Sequence, residues 1–197
     1  MQSLNDVGSV NRMRDGCSTM PKSPRAAYVH VPFCRHHCGY CNFTVVSGRD
    51  DLQAAYLRAV GREMDSLQGP QEVDTIFVGG GTPTQLAAEF LRPLCDLIRY
   101  HFPLAGTAEW SVEVNPSGLT REKVRILEKA GVNRISLGVQ SFDPDKLAVL
   151  ERDHRPPEID AAWQLCRDHF RSVAIDLIFA APNETVTVWQ TDLEQAM

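Results

Sequence analysis

The sequence predicts an α/β fold in which parallel strands curl into a partial barrel, and three observations carry that prediction. Short strand patterns alternate with amphipathic helix patterns five times along the chain, as sequences of parallel α/β sheets do. In the later strands every second residue is small or polar: Ser111 and Glu113, then Ser136, Gly138 and Gln140, then Ala174 and Asp176. A strand covered by helices on both faces is nearly continuously apolar, so a polar alternate face implies strands that look onto a ligand-filled space. Three cysteines in a C-x3-C-x2-C array, Cys34, Cys38 and Cys41, follow the first strand directly, where a βα loop carries function.

The first strand is Ala26–Val31, ended by Pro32. After the cysteine loop, Leu52, Tyr56, Ala59, Val60, Met64 and Leu67 recur at three- and four-residue steps, predicting a helix over about Asp51–Leu67. Val73–Val78 is the second strand, and Gly79-Gly80-Gly81-Thr82-Pro83 turns out of it into a helix over about Ala88–Phe102, which Pro93 kinks or delays. Trp110–Val114 is the third strand, stopped by Asn115-Pro116. Thr120 and Gly131 bracket the next helix as N-cap and C′ residue. The fourth strand is Arg134–Val139, and Asp143-Pro144 is a cap and N1 pair for a short helix. A helix from about Pro157 to Phe170, a fifth strand Val173–Phe179 and an amphipathic helix from Val186 complete the order.

Residues 1–24 are polar, lack sustained periodicity and contain no apolar signal core, so they read as a disordered leader, with Met20 as an alternative start. Residues 25–197 form the core domain. A complete eight-unit barrel takes roughly 250 residues. The helix pattern at Met197 has no cap, so the expectation is an incomplete barrel, an unpaired strand edge and poor solubility in isolation. A net charge of −5 argues against a nucleic-acid surface, and no apolar run approaches the roughly 20 residues that span a bilayer. Three of the six cysteines share one loop while Cys95 and Cys166 sit on helical core patterns, which favours a reducing cytoplasm over a disulfide scaffold.

Three thiols in one tight loop leave one unpaired in any disulfide scheme; they suit an iron–sulfur cluster, or a structural zinc with a histidine as fourth ligand. On a cubane cluster three cysteines leave one iron open to a small molecule. Arg35, His36 and His37 inside the loop are expected to lower the thiol pKa values, and Phe33, Tyr40 and Phe43 to shield the site. At the carboxyl ends of the strands, the glycine run allows backbone to approach a ligand closely, and Glu113 is a carboxylate placed to accept from hydroxyl or amine groups, or else a solvated rim charge. Gln140 ends the fourth strand, where it faces a ligand or caps the following turn. Asp176 interrupts Val-Ala-Ile-Asp-Leu-Ile-Phe, where an unanswered carboxylate is costly, so a ligand hydroxyl or an arginine such as Arg152 must meet it. His30, His154 and Trp163 read as structural.

The cysteine spacing, with an aromatic before the last cysteine and a strand in front, resembles the radical S-adenosylmethionine (SAM) superfamily. Tyr-Val-His-Val-Pro-Phe-Cys, Phe-Val-Gly-Gly-Gly-Thr-Pro-Thr, Glu-Val-Asn-Pro, Asn-Arg-Ile-Ser-Leu-Gly-Val-Gln-Ser-Phe and Asp-Leu-Ile-Phe occur in that order. Together they resemble the oxygen-independent coproporphyrinogen III oxidase family, which includes the heme chaperone HemW. The resemblance implies a (β/α)6 partial barrel, of which this chain supplies about five units. It implies a [4Fe–4S] cluster on Cys34, Cys38 and Cys41 and SAM on the open iron, with a 5′-deoxyadenosyl radical formed when the sulfonium bond breaks. It places Tyr28, as the catalytic aromatic, and Phe43 beside cluster and SAM. Gly80, Gly81 and Thr82 then line the SAM site, and Glu113, Gln140, Arg152 and Asp176 contact its amino acid, ribose or adenine parts. An electron donor protein and heme or a porphyrinogen are implied as partners. The family's dehydrogenases resemble C-x3-C-x2-C-x-C. This chain has Cys41-Asn42-Phe43, the HemW-like form, so the resemblance favours heme delivery to a hemoprotein, with oxidative decarboxylation of coproporphyrinogen III as the alternative.

Overall fold

The computed structural model describes residues 24–197, so the expected leader falls almost wholly outside the described residues. Strands β1 (Ala26–Val31), β4 (Val73–Gly80), β5 (Leu104–Val114), β6 (Arg134–Gln140) and β7 (Ser172–Leu177) form one all-parallel sheet in the order β1-β4-β5-β6-β7. Two short strands, β2 (Phe33–Cys34) and β3 (Val46–Ser47), pair with each other and close the cysteine loop at its base. Each central strand adds beside its predecessor with no reversal of direction. An open doubly wound sheet reverses at a switch point, so this order is that of a singly wound, barrel-type sheet. Among the described residues the outer strands β1 and β7 do not pair with each other, and the barrel is partial.

Helices α1 (Gln53–Asp65), α2 (Ala88–His101), α3 (Arg121–Ala130), α4 (Pro144–Val149), α5 (Pro156–Arg167) and α6 (Val186–Ala196) follow their strands and make five β/α units. The caps form where the residues ask for them. Thr120 accepts from the Lys123 amide, Asp143 from Lys146 and Thr185 from Val188, while Gly131 ends α3 at φ 101°. Pro93 removes one helical donor from α2 without ending the helix.

Strand alternation sorts the side chains. Val29, Ile76, Val112, Ile135 and Leu137 are buried against the helices, where Leu94, Ile98, Leu127, Ile159 and Cys166 meet them. The opposite set, Tyr28 and His30, Phe77, Glu113, Ser136, Gly138, Gln140 and Asp176, faces the concave side. Cys95 and Cys166 are buried in the core, where loss of hydration pushes both thiols up to about 12 and leaves them protonated and inert.

The β7–α6 loop is tied to the end of β6 by a buried charge cluster. Lys146 Nζ donates to Asp192 at 2.9 Å and to Glu184, and Asp192 also accepts from Ser141 Oγ and the Phe142 amide. This cluster keeps the carboxyl ends of β6 and β7 in one rigid rim.

Candidate functional site

A cleft of about 200 Å³ opens at the carboxyl ends of the strands. Cys34, Cys38 and Cys41 line one wall; Gly80, Gly81 and Thr82 the floor; Glu113, Gln140, Arg152 and Asp176 the other side. Phe43 stands at the mouth, 64% exposed. Eleven of the twelve residues singled out in the sequence therefore share one cavity, although they span 142 positions from Cys34 to Asp176 (176 − 34).

The cysteine loop leaves the sheet after β1, and the glycine run is what allows this. Gly81 donates its amide to Val31 O at 2.8 Å, and Thr82 to Phe33 O at 2.7 Å. A Cβ on Gly81 would meet Phe33 O at 2.7 Å and Val31 O at 2.8 Å, both backbone atoms that cannot step aside. Gly80 takes φ 105° and lies under the His30 ring. The glycines serve the approach of one chain segment to another, with the expected access to a ligand as a by-product on the cleft side. Thr82 Oγ1 then comes within 3.7 Å of Cys34 Sγ.

The cation beside the cysteine loop does not come from the loop itself. Arg35, His36 and His37 are exposed, and Arg35 turns away to donate to Ser117 Oγ at 3.1 Å. Burial pushes the Cys34 thiol up; Thr82 and the Arg152 charge oppose this, while Cys41 and Cys38 add to it. The cation beside the sulfurs is Arg152, brought from the turn after α4, with Nη1 3.3 Å from Cys38 Sγ and 3.2 Å from the Tyr40 hydroxyl. Partial burial raises the Tyr40 phenol to about 12. Phe33 packs into the core edge-on to Tyr56, with ring centroids 5.4 Å apart, and does not shield the cleft.

Arg152 does not answer Asp176. Its Nη2 donates to Gly138 O at 2.9 Å and to Asn115 Oδ1 at 3.1 Å, and its Nε is buried without a partner among the described residues. Asp176 is instead exposed to the cleft and accepts from Ser136 Oγ at 2.8 and 3.0 Å. The feared mid-strand burial is avoided because β7 lies at the sheet edge and its polar face is open. Glu113 is half-buried rather than a solvated rim charge: Oε2 accepts the Gly80 amide at 2.9 Å. Burial raises its pKa, the Gly80 bond counters, and Asp176 adds to the rise. Gln140 holds φ 69°, and its carbonyl accepts the Ile178 amide at 2.9 Å.

Tyr28 lies apart from the cleft. His30 Nε2 donates to the Thr44 carbonyl at 2.9 Å, and Nδ1 lies 3.1 Å from the Tyr28 hydroxyl. The Tyr28 ring stacks on Phe77 at 6.1 Å and borders a second cavity of about 440 Å³ between β1 and α1.

Asp153, which the sequence reading passed over, and Asn115 and His154, which it read as a strand stop and a structural histidine, are neighbours of the site. Asn115 Nδ2 donates to Asp153 Oδ1 at 3.1 Å, and His154 is fully buried beside them. Asn115 preceding a proline looks like a strand stop, and only its position beside Glu113 hints at more.

The donor set fits an iron–sulfur cluster better than a single zinc. A tetrahedral zinc gathers four ligand atoms about 3.8 Å from one another. No group of three His, Cys, Asp or Glu side chains is drawn together that way among the described residues. A cluster several ångströms wide asks only that the thiols face one shared space, and they do.

Residues 28–195 match the family model of the radical SAM superfamily. The chain belongs to the radical SAM superfamily. Within it, the chain is 37% identical over 178 residues to the heme chaperone HemW of Bacillus subtilis, covering 88% of this chain and 47% of that protein. To HemW of Escherichia coli it is 37% identical over 180 residues, with 88% and 47% covered. An oxygen-independent coproporphyrinogen III oxidase of Bradyrhizobium diazoefficiens is 38% identical over 176 residues, with 86% and 39% covered. Among solved structures, the radical SAM enzyme coproporphyrinogen III oxidase (HemN) of Escherichia coli superposes with a TM-score of 0.81 at 30% identity. That superposition covers 90% of this chain and 42% of HemN. The chain is thus a HemW/HemN-like radical SAM domain, and it spans about half the length of the curated relatives it matches. No helix among the described residues is long and apolar enough to cross a membrane.

Proposed function

We propose that this domain is the cluster- and SAM-binding part of a HemW-like heme chaperone. The observation that carries the reading is one cleft shared by three free cysteines and the Glu113, Gln140, Arg152 and Asp176 side chains. Cys34, Cys38 and Cys41 would hold a [4Fe–4S] cluster. Glu113 and Asp176 suit an ammonium and ribose hydroxyls, polar groups of SAM, and the Arg152 guanidinium adds positive charge to the same cleft wall. When bound, cluster and SAM supply one-electron chemistry at a sulfonium. The protein's share is to offer three thiols to one cleft, to place one cation beside Cys38, and to hold the Glu113 carboxylate through the Gly80 amide.

The whole protein would bind heme and pass it to a hemoprotein, with an electron donor protein serving the cluster in a reducing cytoplasm. Cys41-Asn42-Phe43, without a cysteine two places after Cys41, supports the chaperone form. A second reading, coproporphyrinogen dehydrogenase, is favoured by the close superposition on HemN.

Anaerobic reconstitution followed by iron and sulfide analysis, then SAM, reductant and coproporphyrinogen III on the full-length protein, tests both. A four-iron cluster, no decarboxylation and a Soret shift on adding heme are expected. Vinyl porphyrinogen formed together with 5′-deoxyadenosine would establish the dehydrogenase, and zinc in place of iron would sink both.

A further inference from the structure

We propose that His154 is a positioning residue that sets the Arg152 guanidinium against the cysteine loop; the consequence for SAM rests on the function proposed above. His154 is 0% exposed, at a place where an aliphatic side chain would pack without any desolvation cost. Both ring nitrogens are engaged. Nε2 lies 2.9 Å from the Val139 carbonyl, which can only accept, so Nε2 carries the proton. Burial keeps the ring neutral, so with the proton on Nε2 the bare acceptor is Nδ1, which lies 3.4 Å from Arg152 Nη2 and 3.2 Å from Asn115 Oδ1. Of those two, only the guanidinium has a hydrogen to give.

The result is a fixed cradle. The two hydrogens of Arg152 Nη2 go to Gly138 O at 2.9 Å and Asn115 Oδ1 at 3.1 Å, and His154 Nδ1 at 3.4 Å shares the second of them; together these contacts set the plane of the fork. Once that plane is set, Nη1 can only point at Cys38 Sγ and the Tyr40 hydroxyl, and Nε is left without a partner. His154 touches none of these outward groups. Without its acceptor, the guanidinium is free to turn toward Asp153 or Asp176, carboxylates that border the same cleft. The ring's charge state agrees with the role: burial, then the Arg152 charge, hold its pKa down at about 4.

Two substitutions separate positioning from packing. Asn places an acceptor where Nδ1 stands and gives up the bond to Val139; Gln places a donor where Nε2 stands and gives up the acceptor toward Arg152. The first readout needs no cofactor. Guanidinium N–H resonances of Arg152 in the apo chain, assigned by their loss in Arg152→Lys, should be resolved and slow to exchange in the parent and in His154→Asn. In His154→Gln they should collapse. The second readout is SAM affinity after cluster reconstitution, expected to weaken about tenfold in His154→Gln and to stay near the parent value in His154→Asn.

Parent-like resonances in the Gln variant would overturn the proposal. So would equal loss in both variants with a matching fall in melting temperature, which would make His154 a packing residue. If the Gln variant fails to fold, the Asn variant decides, since it must retain the parent resonances. Arg152 resonances that persist in His154→Asn and collapse in His154→Gln, in a protein that never binds SAM, would uphold the positioning role and defeat the functional reading instead.

Discussion

Arg152 Nη1 stands 3.3 Å from Cys38 Sγ, joining two side chains 114 positions apart in the chain. The Cys38 sulfur is thus paired with a guanidinium that Gly138 O and Asn115 Oδ1 hold in place. Arg152→Ala should leave Asn115 Oδ1 and Gly138 O without their donor and lower unfolding stability by about 1–3 kcal/mol in urea titrations. Arg152→Lys keeps the charge and loses the fork, so it should recover little of that stability. A lysine variant as stable as the parent would show that charge alone matters there.

Gly81 sets the distance between the cysteine loop and β4. Gly81→Ala puts a methyl group against Phe33 O and Val31 O, and the expected cost is about 1–3 kcal/mol of overpacking. Iron incorporation on reconstitution should fall along with it, because Cys34 follows Phe33 directly. Unchanged urea midpoint and iron content would show that the turn relaxes.

Stability should respond to pH in two opposed ways. His154 titrates at about 4 in the folded chain against an ordinary 6.5, so the stability it confers is present above 6.5 and is lost as pH falls toward 4. His154→Asn should flatten that acid limb. Glu113 is shifted the other way: a raised carboxyl pKa costs stability as pH rises past the ordinary carboxylate value. Glu113→Gln keeps an acceptor for the Gly80 amide, so it should be more stable than the parent at pH 7 and should converge with it in acid. Urea midpoints from pH 4 to 8 read both, and a Gln variant weaker than the parent at pH 7 would refute the second.

Ala180 sits in the β7–α6 loop at φ 60°, a left-handed conformation that costs an L-residue about 1–2 kcal/mol. Ala180→Gly relieves that cost and returns part of it as extra freedom in the unfolded chain, about 0.4–1 kcal/mol. A net gain of about 0.5–1 kcal/mol is expected, read as a higher urea midpoint.

The sequence carried the strand–helix order because each element has its own local signal: alternation in β6, a Thr120 cap and a Gly131 stop on α3. It carried most of the cleft too, since polar residues that break an apolar strand pattern, such as Glu113 and Asp176, have few explanations. What it could not carry were partnerships set by long-range geometry. Asp176 seemed to need a ligand hydroxyl or an arginine because strand periodicity says nothing about which strand forms the sheet edge. His154 looked like an isolated core histidine because its partners, Val139, Asn115 and Arg152, lie on separate segments. The reach of Arg35 could not be read from its place between two cysteines, and it points to Ser117.

Since each strand of the main sheet joins beside the one made before it, the sheet can grow from its first strand while the ribosome is still working. The cysteine loop emerges early and its counter-cation late. At roughly 5–20 residues per second, the interval of 114 residues between Cys38 and Arg152 lasts about 6–23 s. Through that interval the three thiols are made without the cation that stands beside Cys38 in the finished wall, and a factor guarding them during synthesis would have that interval to cover.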